Sequence, residues 1–139
     1  MTVPTLPPNV LRIWTVGLSQ ALSLEGLESL ARALRTNDER LIQGQTTLPE
    51  PLLSLQERRC EGACAIGLAG WWGDELDTVG EVELFFSRTC WESDKLTGEE
   101  GDARNFTYWF DHADRKVMLA TLLPLVEAAI RERGAKQAA

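Results

Sequence analysis

Along most of this chain apolar side chains recur three and four positions apart, the spacing that brings them to one face of an α-helix. Leu27, Leu30, Ala31 and Leu34 follow the rule, while Glu25, Glu28, Arg32 and Arg35 take the other faces. Leu119, Leu122, Leu123, Val126 and Ile130 repeat it near the far end. A short strand competes only over the first segment, which also contains Leu11 and Val16, and no hairpin signal is convincing. The sequence therefore predicts a mainly α protein: a single compact domain of about five to seven helices.

Capping residues place the helix starts. Asn9 is expected to cap a first helix with Val10, Ile13, Trp14, Gly17 and Ala21 on one face, and Ser23 a second. Asp38 is expected to cap a short helix through Leu41 and Ile42. A polar loop at 44–51 holds two prolines that break any helix entering it, and residues 52–59 are expected to resume as helix. Thr78 with Glu81 three positions on reads as a capping box. The helix it opens carries Val82, Phe85, Phe86, Thr89 and Cys90 on one face and ends near Leu96, where Thr97-Gly98 supplies a stop. Phe106, Trp109 and Phe110 share a helical face. Asp111 is expected to cap the last helix, with Asp114 in its first turn. Pro124 lies inside that helix and is expected to kink or split it.

Residues 60–80 break the pattern. Five of the 11 glycines fall there: Gly62, Gly67, Gly70, Gly73 and Gly80. Each costs a helix interior about 0.8–1 kcal/mol relative to alanine, so this stretch is expected to be a glycine-rich irregular segment of turns, short helical pieces and close backbone contacts. The aromatic residues lie mostly in the second half, which is expected to supply the bulk of the core. Residues 1–8, with three prolines and no charge, read as a flexible lead, residues 9–133 as the domain, and 134–139 as a flexible tail.

Composition narrows the function. The net charge of −7 arises from 14 basic and 21 acidic side chains. It opposes contact with phosphate backbones, so no nucleic acid is expected as a partner. No run approaches the ~18 apolar residues that a membrane span requires, and the N-terminal residues lack a secretory pattern. Three cysteines are an odd number, simplest to accommodate in a reducing cytoplasm.

Catalytic motifs are missing. One histidine is present, no Gly-x-Ser-x-Gly elbow surrounds a serine, and no phosphate-binding glycine loop occurs. The acidic runs at 74–77 and 99–102 lack the alternating oxygen ligands of a calcium loop. Trp71-Trp72 is more telling. Neighbouring side chains diverge on a regular element, so either both rings are buried against different layers or one packs inward and the other faces outward beside Asp74, Glu75 and Asp77. Exposed tryptophan is typical of binding hot spots. The expected role is a small cytosolic, acidic, non-catalytic protein-binding module with no cofactor, meeting a partner that would be basic. The alternative is a metal-binding or thiol-redox regulator that gathers Cys60, Cys64, Cys90 and His112, a ligand set suited to zinc. An enzyme whose carboxylates converge only in space is the third reading.

Overall fold

The computed structural model describes residues 6–138. The chain is mainly helical, with element order α1 (Pro8–Arg12), a π-helical stretch (Ile13–Leu18), α2 (Ser19–Ala21), α3 (Leu24–Thr36), β1 (Thr47–Leu48), a 3₁₀ turn (Leu53–Leu55), β2 (Gly62–Ala63), α4 (Ala65–Gly73), α5 (Val79–Thr97), α6 (Asp102–His112) and α7 (Arg115–Ala138). The short strands pair antiparallel, Thr47 opposite Ala63 and Leu48 opposite Gly62.

Several helix starts follow the expected chemistry. The Ser23 hydroxyl accepts the Gly26 amide at 3.0 Å and opens α3. The Thr78 hydroxyl accepts the Glu81 amide, and the Glu81 carboxylate takes the Thr78 amide in return. That reciprocal pairing satisfies two amides that the first turn of α5 would otherwise leave bare. Gly98, in the left-handed region at φ 85, ends α5.

Other starts differ. Asn9 lies within α1; Pro7 precedes the helix and Pro8 occupies its first turn. Proline suits that place because its ring pre-sets φ and its missing N–H would have no helical partner. Asp38 caps no helix. Its carboxylate takes the Arg40 backbone and guanidinium N–H groups at 2.8–2.9 Å, closing a turn. Residues 52–59 hold only the single 3₁₀ turn, with Leu53 93 % exposed: that segment has no core to bury a helical face against. Asp114, rather than Asp111, serves α7, accepting the Lys116 amide at 3.1 Å. Pro124 does not split α7, which continues past Gly134 as far as Ala138. Pro124 is exposed there, so its ring faces solvent rather than a packed neighbour.

The glycine-rich segment makes the expected close backbone contacts, but its helical piece is longer than expected. Residues 65–73 form α4, and residues 62–70 are buried without interruption. The propensity cost of glycine in this helix is outweighed by the close packing it permits. A Cβ at Gly73 would fall 2.5 Å from the Gly26 backbone nitrogen, so α3 and α4 cross backbone to backbone. A Cβ at Gly70 would enter the Phe85 ring, and one at Gly67 would press on Ala63 and Val82. The ends of the segment are joined by a bridge between Arg59 and Thr78, so α4 is an inward excursion from a closed base.

The core draws on both halves of the chain. Ile13, Leu18, Leu22, Leu27 and Leu30 from the first half are as buried as Phe106, Phe110, Met118 and Leu122 from the second. Trp14 stacks on Phe106 with ring centroids 5.7 Å apart. Charged groups hold the periphery. Arg12 pairs with the buried Asp102 at 2.9 Å, and Arg115 donates to the carbonyls of Leu41 and Asp38.

The crossing gives a direct expectation. Gly73→Ala forces a methyl into the Gly26 backbone and is expected to destabilise by about 1–3 kcal/mol, the usual cost of overpacking. Gly134→Ala, in open space on α7, is expected to be neutral or to stabilise by up to about 1 kcal/mol. Urea denaturation of the two variants beside the parent protein measures both.

Candidate binding cleft

α5 and α6 form a helical hairpin, and its geometry builds a concavity. The turn between them runs through Gly98 and Gly101, both with φ near +90°, a conformation that side chains resist. α6 has no capping side chain of its own. Asp94 of α5 does that work from across the turn: its two carboxylate oxygens accept the Gly101 and Ala103 amides, each at 2.8 Å. At the other end of α6, the Gln43 amide donates to the carbonyls of Phe110 and Ala113 at 2.7 and 2.9 Å. Asp111 accepts the Gly44 amide at 3.0 Å. Both ends of α6 are thus pinned.

Between the two helices lies an open cleft of ≈ 690 Å³. α5 contributes Phe86, Ser87, Cys90, Trp91 and Asp94, and α6 contributes Arg104, Thr107, Tyr108, Asp111 and His112. Trp91 is 61 % and Tyr108 66 % exposed. His112 stacks on Tyr108 with ring centroids 4.1 Å apart. Its Nδ1 lies 2.8 Å from the Tyr108 carbonyl oxygen, which only accepts, so Nδ1 carries the proton and Nε2 is the free nitrogen of the neutral ring. Lys95 lies 4.2 Å over the Trp91 ring, a cation–π contact. The acids lining the cleft are Asp94, Glu100 and Asp111, against one permanent cation, Arg104. Burial raises the Asp111 carboxyl above the ordinary range. It raises Glu83 as well, whose Oε2 is buried without a partner.

The cysteines and the histidine are not assembled into a centre. Among the described residues no group of three or more His, Cys, Asp or Glu side chains is placed to hold a metal ion. The Cys60 thiol donates to the Gly62 carbonyl at 3.2 Å. Cys64 caps α4, its sulfur facing the Gly67 amide at 3.5 Å. Cys90 and His112 both line the cleft, on opposite helices. All three thiols are free. Burial pushes Cys64 and Cys90 up to about 12 and raises Cys60, so the nucleophilic thiolate is disfavoured at each.

Trp71 and Trp72 share one fate. Both are half-buried and packed on the core, with ring centroids 5.7 Å apart, and the Arg40 guanidinium lies 4.7 Å over Trp72. Asp74, Glu75 and Asp77 are exposed beside them. Asp74 accepts the Ser23 hydroxyl at 3.0 Å, and Asp77 pairs with Arg59 at 3.2 Å.

No family model, curated protein or solved structure matches this chain. The reading of the site therefore rests on its own geometry.

Sequence reasoning placed Cys90 and His112 but passed over Trp91, Tyr108, Asp94 and the cleft role of Asp111. The signal was there in part. Trp91 stands nine positions after Val82, two and a half helical turns, which sets it opposite the buried face. Tyr108 is two positions from both Phe106 and Phe110, which also sets it outward.

The buried thiols carry a pH signature. Cys64 keeps its proton when folded up to about pH 12, whereas an unfolded cysteine loses it near pH 8.5. The unfolded state then binds fewer protons, so stability falls as pH rises between those values. Cys64→Ala is expected to flatten the slope of unfolding free energy against pH above about 9 by up to about 1.4 kcal/mol per unit. Urea titrations across that range read it.

Proposed function

We propose that this protein is a non-catalytic binding module that recognises a basic protein partner through the α5–α6 cleft. The observation that carries the reading is the exposure of Trp91 and Tyr108 on the walls of a cleft in which three acids face one permanent cation. Aromatic rings supply large contact area at small entropic cost, and tryptophan and tyrosine dominate binding hot spots. A net charge of −7 adds long-range attraction for a cationic partner and speeds its encounter.

Several features support binding over chemistry. The thiols of the cleft and core are held protonated by burial. The single imidazole is stacked on Tyr108 and bonded to its carbonyl. No helix among the described residues is long and apolar enough to cross a membrane. Three free thiols suit a reducing compartment, and the cytoplasm is the location we favour. Trp71 and Trp72 offer less free ring surface than Trp91, which is why the cleft, rather than the end of α4, is the proposed contact.

Short peptides test this. A lysine- and arginine-rich peptide is expected to shift the Trp91 indole N–H resonance and to bind more weakly as salt increases; a glutamate-rich peptide of equal length is expected to do neither. Trp91→Ala should weaken the basic peptide about tenfold or more, the range of a hot-spot residue. Equal responses to the two peptides, or shifts confined to Trp71 and Trp72, would refute the assignment.

A further inference from the structure

A second groove lies against the first. It measures ≈ 430 Å³ and is walled by Pro7, Val10, Trp109 and Ala113, with Asn105 at its edge. Tyr108 and His112 line both concavities, so their stacked rings form the ridge between them. At 100° per residue along α6, Arg104 and Asp111 fall on one side of that ridge and Asn105 and Trp109 on the other. The two sides differ in character. The α5–α6 side is acidic, and among the described residues the lining of the far side includes no Asp, Glu, Lys or Arg.

We infer that the recognised segment presents one basic and one apolar side chain that straddle the Tyr108–His112 ridge, the basic group meeting Asp111 and the apolar one filling the groove beside Trp109. The inference rests on the basic-partner reading above and adds to it the pattern the partner must carry. Asp111 suits the anchor because only its Oδ1 takes a hydrogen bond among the described residues, from the Gly44 amide, which leaves Oδ2 for an incoming N–H. Arg104 would repel the incoming cation. It sits seven residues before Asp111 on α6, about 10 Å along the axis and at the end that Asp94 and Glu100 share, so its charge is offset there and lies away from Asp111. Two side chains on the same face of an extended segment stand about 6.6–6.8 Å apart, a separation that spans a single ring edge. A basic-x-apolar triplet therefore fits the ridge.

Glycine-flanked peptides with Arg-Gly-Leu, Arg-Gly-Ala, Gln-Gly-Leu and Glu-Gly-Leu centres, titrated into the full chain, separate the contributions. Arg-Gly-Leu is expected to move the indole resonances of both Trp91 and Trp109 and to bind about tenfold more tightly than the two single-feature peptides, with Glu-Gly-Leu weakest. Asp111→Asn keeps the Oδ1 acceptor for Gly44 and should fold normally, with an unchanged amide spectrum away from the cleft. It is expected to lose about tenfold for Arg-Gly-Leu and nothing for Gln-Gly-Leu. If Arg-Gly-Ala equals Arg-Gly-Leu and only Trp91 moves, the straddling pattern fails while the basic-partner reading stands. If no arginine peptide moves Trp91, that earlier reading fails as well. An Asp111→Asn protein that binds Arg-Gly-Leu undiminished overturns the anchor. Concentration-dependent shifts of Trp91 and Trp109 without peptide would assign the surface to a second copy of this chain and overturn the inference.

Discussion

The crossing of α3 and α4 is the constraint on which the other contacts depend. Gly26 and Gly73 meet without an intervening side chain, and Gly70 gives the Phe85 ring its place. Backbones that close leave no room for alternative rotamers, so the crossing has one register. From it, α5 is held against a neighbouring face of α4 through Phe85 and Val82. α5 in turn receives the π-helical stretch, where a Cβ on Gly17 would run into the Ser93 hydroxyl. A chain of glycine contacts thus links four helical segments and fixes the platform from which the α5–α6 hairpin projects.

How much of this was legible follows from the range of each interaction. Local chemistry was readable: the Ser23 cap and the Thr78–Glu81 box involve residues three apart, and both form as read. The core faces of α3, α5 and α6 follow from period alone, since a stripe of Leu27, Leu30 and Leu34 has no other use. The departures have two sources, a competing neighbour at Asp38 and distant contacts at α4. Asp38 was drawn off by the Arg40 guanidinium, which holds its carboxyl down at about 2. α4 is longer and more regular than the short helical pieces expected because glycine propensity is a local cost, whereas the gain comes from Gly26 and Phe85, far away in sequence.

The candidate site was legible only in fragments, for the same reason. Cys90, His112 and Asp111 were each noticed, but as ligand, ligand and cap. Their meeting in one cleft depends on a turn whose two left-handed glycines fold α6 back on α5. The Trp71-Trp72 pair drew attention because adjacent rings are conspicuous in a sequence. Trp91 is conspicuous only on a helical wheel, where it stands apart from the face that holds Val82.

Asp94 and Gln43 grip the two ends of α6 from outside it. Each comes from a different element, one from α5 and the other from the loop before β1. The lips of the cleft are therefore set before any visitor arrives. On the binding role proposed above, little freedom would be left to freeze on docking, so contact energy would not be diverted into ordering the receptor. Such a socket would favour quick, reversible capture over slow moulding around a guest.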